Sequence, residues 1–144
     1  MSAFSNYLEL KIAQWVTNAA AMGTSPTGLF IGLFSTEPGE AGNTGTEVTS
    51  TLRGSATRPA ITLTAATDGS GVTTLQNAAQ FVFTNPTAAG AATVSHFAIF
   101  DAATGNTPGT TNMLFKGAIT GGAKSVAAGD EVRFNANQFV ITID

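Results

Sequence analysis

From Gly28 onward the chain is a run of short apolar segments, most of them alternating in and out and separated by glycine-containing turns. This pattern constrains the fold more than any other feature, because a period of two belongs to strands and glycine turns set how long each strand can be. Leu29 to Phe34 is apolar throughout and reads as a strand buried on both faces. Pro59, Ile61 and Leu63 alternate with Ala60 and Thr62, a shorter strand covers Val72 to Gln76, and Phe81 and Phe83 project from one side of a strand ending at Asn85-Pro86. Val94 to Phe100 reads as one central strand, and Met113 to Ile119, Val132 to Phe134 and Phe139 to Ile143 supply three more. Asp68-Gly69, Thr104-Gly105-Asn106, Pro108-Gly109, Gly121-Gly122 and Gly129-Asp130 are the predicted turns. About eight strands without intervening helices exclude a doubly wound α/β sheet. They predict a mainly β fold: a two-sheet antiparallel β-sandwich, with a jelly roll as one form of it, and a single N-terminal α-helix over an edge or an end.

That helix is predicted over residues 1–22. Phe4, Leu8, Ile12, Trp15, Ala19 and Met22 recur at steps of three and four and so share one face. Ser5 or Asn6 caps the start, with Glu9 placed for a capping box, and Gly23 supplies the stop. The whole of 1–144 fits one domain. One stretch stands out within it. Residues 35–57 form a long Gly/Thr-rich loop or arm whose only large apolar side chains are Val48 and Leu52, and loops of that length are usually functional.

Charge excludes several classes of partner. Only 10% of residues are charged, the net charge is −3, and Lys11, Arg53, Arg58, Lys116, Lys124 and Arg133 stand singly. A nucleic-acid surface needs clustered cations, so no nucleic acid is expected. No apolar run approaches the ~20 residues that span a bilayer, so no membrane is expected. There is no signal-peptide pattern, which implies folding in the cytoplasm, and the absence of cysteine leaves the redox compartment unread.

Side chains with reactive potential are few. His96 is the sole histidine, and in a continuous strand Ser95 and His96 point to opposite faces, which precludes a nucleophile–base pair between them. No Gly-x-Ser-x-Gly elbow occurs, and Gly121-Gly122-Ala123-Lys124 lacks phosphate-loop spacing. The carboxylates Glu9, Glu37, Glu40, Glu47, Asp68, Asp101, Asp130, Glu131 and Asp144 are dispersed. The Asp101–Asn106 stretch lacks alternating calcium ligands and reads as a turn in which Asp101 accepts backbone N–H bonds. No catalytic residues, metal ligands or cofactor are therefore assigned, and the protein is expected not to be an enzyme. A surface this poor in charge instead suits self-association.

Several segments fall in a familiar order: Tyr7-Leu8-Glu9-Leu10-Lys11; the apolar strand running into Ser35-Thr36-Glu37-Pro38; Glu47-Val48; Arg58-Pro59-Ala60-Ile61; Phe81-Val82-Phe83; Val94 through Gly105; Leu114-Phe115-Lys116-Gly117; and the closing Gly129-Asp130 to Ile143-Asp144. In these the chain resembles a family of small phage virion proteins, usually labelled tail fibre proteins and sometimes placed on the capsid. It departs from that pattern at Ser55-Ala56-Thr57, where an aromatic is frequent, and by an extra Thr107–Thr111 insertion. The resemblance implies a virion location. With no shaft-like repeats, the leading expectation is a capsid decoration or cement protein that binds the major capsid protein as a homo-oligomer, most simply a trimer. The alternative is a tail fibre or baseplate appendage that meets a host surface receptor. The expected contact elements are the 35–57 arm and the hairpin tip near Gly105–Met113, with Glu37, Pro38, Glu47, Val48, Leu52, Arg53, Arg58, Asn106, Pro108 and Thr110 as candidate interface residues.

Overall fold

The computed structural model describes residues 4–64, 67–69, 71–84, 91–107, 110–119 and 121–143. It opens with α1 (Asn6–Val16), continues into β1 (Leu29–Phe34) and a second, short helix α2 (Thr49–Arg53), and then runs through ten strands. These are β2 (Ala60–Ile61), β3 (Thr67–Gly69), β4 (Val72–Gln76), β5 (Phe81–Thr84), β6 (Ala92–Val94), β7 (His96–Phe100), β8 (Met113–Ala118), β9 (Lys124–Val126), β10 (Glu131–Phe134) and β11 (Val140–Ile143).

All strand pairs are antiparallel. The largest sheet has the order β2-β1-β7-β8, and β11-β4-β3, β10-β5 and β6-β9 form smaller ones. The fold is mainly β, as the alternation predicts, and its layers are those of a sandwich.

The register of the large sheet sorts its side chains. Ile31 pairs with Ile99 and Leu33 with Phe97, so these four point to one face. There they meet Phe81, Phe83, Phe139 and Ile141 from the smaller sheets in the main core. Phe97 and Phe139 pack edge to face with ring centroids 4.3 Å apart, and Phe81 stacks on Phe134 at 4.8 Å. Gly117 sits opposite Phe97, and a Cβ there would lie 2.7 Å from the ring. The missing side chain is what lets the ring lie against the strand. The other face carries Phe34, Ala98, Phe100 and Met113. Fully burying a ring such as Phe83 or Phe100 stabilises the fold by roughly 2–3 kcal/mol.

Four elements differ from the sequence expectation. α1 stops at a Thr17 cap, not at Gly23: the Thr17 hydroxyl donates to Ala13 O at 2.8 Å, and Asn18 takes a left-handed φ of 54°. Asparagine tolerates that conformation. Residues 17–27 are exposed throughout, so a longer helix would find nothing to pack on. The predicted apolar stripe is covered in part: Phe4, Leu8 and Ile12 are half-buried and Trp15, Ala19 and Met22 exposed, and no residue of α1 is fully buried. Second, Asp68-Gly69 lies in β3, and its turn falls two residues later, at Gly71 with φ 84°. Third, β9 carries too little apolar side chain to have shown a strand pattern. Fourth, the stretch from Val94 to Phe100 is two strands, not one, broken at Ser95. Asn85-Pro86 and Pro108-Gly109 lie outside the described residues.

Candidate functional site

Residues 37–47 lie against the second face of the large sheet, and α2 then turns towards β1 and β5. Ser35 N donates to Thr46 O at 2.9 Å and Val48 N to Leu33 O at 2.8 Å, so the segment leaves the sheet and returns to it as a strap. Val48 and Leu52, four residues apart at one turn of helix, put both of the segment's large apolar side chains into the main core. Gly54 ends α2 in the left-handed conformation. Two apolar residues at helical spacing are enough to fold a stretch whose composition predicts a loop.

Carboxylates tie the rest of the strap down. The Lys116 side chain is 4% exposed and its Nζ lies 2.6 Å from Glu37 Oε1 and 2.7 Å from Glu40 Oε1. Burial alone would lower the Lys116 pKa, but its hydrogen bonds to Glu37 and Glu40, with the charge of those two carboxylates, together outweigh it and hold it above the ordinary lysine value. The Lys116 hydrogen bond also holds the Glu37 carboxyl below the ordinary carboxylate range. Arg58, equally buried, donates from Nε and Nη2 to the two Glu47 oxygens at 2.8 Å each. Its Nη1 donates to Gly105 O at 2.7 Å, and its guanidinium lies 3.5 Å from the centre of the Phe100 ring. Thr49 Oγ1 donates to Glu47 Oε1 at 2.7 Å and accepts from Leu33 N at 3.1 Å. The pair sits over Gly32, where a Cβ would come within 2.9 Å of Glu47 Oε1.

The ten candidate interface residues therefore divide sharply. Pro38, Val48 and Leu52 are buried. Glu47 and Arg58, predicted as contacts for a partner, contact each other. Asn106 donates to Gly42 O, tying the hairpin tip to the strap. Arg53 is half-buried and donates to Thr57 O at 2.9 Å. Glu37 and Thr110 are exposed, and Pro108 lies outside the described residues. Within the chain the arm acts as a clasp, with residues 43–46 and 54–57 still exposed on its outer side.

Ser95 and His96 also need correcting. Because β6 and β7 are separate strands, the alternation breaks and both side chains meet: Ser95 Oγ lies 2.8 Å from His96 Nδ1. The hydroxyl donates to Ser35 O at 2.7 Å, so its single proton is already committed. His96 then donates to Oγ through Nδ1–H, the reverse of what a general base does. Ser95 works as another clasp on the strap. Asp101 accepts from Asn112 N at 2.6 Å, with its second oxygen on Asn112 Nδ2 at 2.8 Å. Among the described residues no three His, Cys, Asp or Glu are grouped to hold a metal ion.

Sequence patterning did not reveal two further features. Asn77 is fully buried, donating to Ala79 O and Asn135 O and accepting from Phe139 N. Around α1, Leu10, Trp15 and Val16 are more than half exposed. The helix is flanked by two open clefts of about 420 and 730 Å³. Among the described residues no helix is long and apolar enough to cross a membrane.

An antiparallel β body whose strap is held by internal ion pairs presents a half-exposed helix and open clefts to solvent. The chain belongs to the family described as Podophage GP4 fiber I protein gp80, whose family model matches residues 3–142. No curated protein matches the chain. The fibre description favours the tail-appendage alternative over the capsid-decoration expectation.

Proposed function

We propose that this chain is a non-enzymatic structural part of a bacteriophage tail fibre, acting as a homo-oligomer through contacts with other virion proteins and, at the outer end, with the host surface. The observation that carries this is the family match over residues 3–142. The interior supports it: Arg58, Lys116 and the carboxylates Glu37, Glu40 and Glu47 are spent on holding the strap, which stiffens the body and leaves little for bond-making. A stiff body suits a part that transmits position. Interfaces of standard size bury ~1,600 Å² in total, and repeated copies turn modest contacts into lasting attachment.

The test is a phage that carries a stop codon in this reading frame. Such particles should package DNA normally, lack density on the tail and adsorb poorly, with adsorption restored by complementation. Normal tails and normal adsorption, with heads that lose stability, would instead assign the chain to the shell.

A further inference from the structure

β11 closes the sheet β11-β4-β3 with its outer edge bare. Asn77 N donates to Phe139 O at 3.1 Å, so Phe139 directs its backbone at β4. The alternation of an antiparallel ladder makes Ile141 and Ile143 do the same. Val140 and Thr142 therefore point N–H and C=O away from β4. Gln76, the partner of Val140, shows the same phase from the other side: its N–H and C=O are bonded to Thr64, at 3.2 and 2.7 Å. Among the described residues nothing bonds to the outward groups of Val140 and Thr142, and both residues are exposed.

Unpaired edges template further strands, and folded proteins blunt them with charge, cover or shortness. The other described edges carry such devices. β2 has two residues, and β3, β6 and β9 have three each. β5 has α2 beside it, β8 is capped by Ser5 and the Phe4–Phe115 bridge, and β10 presents Glu131 and Arg133. β11 is Val140-Ile141-Thr142-Ile143, without charge, proline or register shift. An open cleft of about 380 Å³ runs beside Val140, so the edge can be reached.

We propose that β11 pairs antiparallel with β11 of a second copy, joining the two β11-β4-β3 sheets into one. The phase of the outward groups fixes the register. Val140 of one copy lies opposite Thr142 of the other, each such pair exchanging two N–H···O=C bonds, with the two-fold axis at Ile141. A strand is what this edge recognises, because its free donors and acceptors recur at every second residue. The same chain is the strand that fits, because those groups are self-complementary about Ile141 and an uncharged edge meets its own copy without repulsion. The pairing also sets β-branched side chains beside one another, Val140 against Thr142 and Ile141 against Ile141. The proposal rests on the homo-oligomer reading above and not on where in the virion the assembly stands.

The chain has no cysteine, so a disulfide cross-link can be read at single introduced positions. Purified V140C and T142C chains are oxidised mildly, alone and mixed. Light scattering follows the mass of the wild type and of T142P from dilute to concentrated solution. The T142P change removes an outward N–H and none that β4 uses, so circular dichroism should show an intact fold. The wild type is expected to reach a multiple of 14.6 kDa and T142P to associate at least about tenfold more weakly. The V140C and T142C mixture should cross-link more than either chain alone, because directly opposed residues lie within disulfide reach. An oligomer without the mixed cross-link, or a folded T142P that associates as the wild type does, would overturn the β11 joint and leave self-assembly standing. Should T142P unfold, the cross-link decides in the same way. A wild type that stays monomeric at every concentration would overturn self-assembly along with the joint.

Discussion

Removing the Glu47 carboxylate should destabilise the protein more than removing the whole ion pair does. Arg58 is 4% exposed and Glu47 28%. In E47A the guanidinium keeps the Gly105 carbonyl and the Phe100 ring but loses both charged acceptors, and Thr49 loses its own. Stranding one partner of a buried pair costs 3–5 kcal/mol, and the water that reaches Glu47 places this case near the lower end, at about 3 kcal/mol. With a urea m-value of roughly 2 kcal/mol/M, the unfolding midpoint should fall by about 1.5 M. The double variant E47A/R58M leaves no stranded charge and should recover about half of that loss. Urea unfolding followed by circular dichroism, at one fixed protein concentration, measures E47A, R58M and the double variant, and the cycle should give a coupling of at least about 1.5 kcal/mol. A cost for E47A under about 1 kcal/mol, or a double variant sitting at the sum of the singles, would refute the clasp.

Two other perturbations follow from the same geometry. N77A deletes a bond to Ala79 O within the turn after β4, together with the bonds to Asn135 O and from Phe139 N that join that turn to residues 135–139; a loss of about 3 kcal/mol is expected in the same urea assay, and a loss below about 1 kcal/mol would mean that water replaces the amide. E37Q should show a pH signature. Because the Glu37 pKa is lowered in the fold, its stabilisation is present above the ordinary carboxylate range and is lost as pH falls through the lowered value. Lys116, raised, contributes below the ordinary lysine value and loses its contribution as pH rises through the raised one. The gap in melting temperature between wild type and E37Q should thus be open at neutral pH and close in acid and in strong alkali. A gap constant across pH would point to packing in place of charge.

The strands were legible because short apolar or alternating segments, too short for helices, are bounded by glycine-containing turns. β1 falls on Leu29–Phe34 as predicted, and β4 on Val72–Gln76. What local pattern missed was set by contacts distant in sequence. Thr49, Glu47 and Arg58 look like loop polar residues until the sheet brings Leu33 and Phe100 beneath them. Lys116 looks like a surface lysine on a strand until Glu37 and Glu40 arrive from 79 and 76 positions away. In the Ser95–His96 pair, alternation failed at one residue, a break that apolar content cannot signal. α1 is a partial case: Phe4, Leu8 and Ile12 of the predicted stripe are half-buried on the body, with Phe4 against Phe115, whereas Trp15, Ala19 and Met22 lie beyond the part of the sheet that could cover them. The family resemblance reached the virion from sequence, whereas the preference for the tail alternative rests on the description of the matched family.

The place of this chain on the particle is the most direct test of the account. Antibody raised against the folded protein, labelled with gold and imaged on intact phage, should mark the tail appendages and leave the heads bare. Gold spread evenly over the heads, with unlabelled tails, would contradict it.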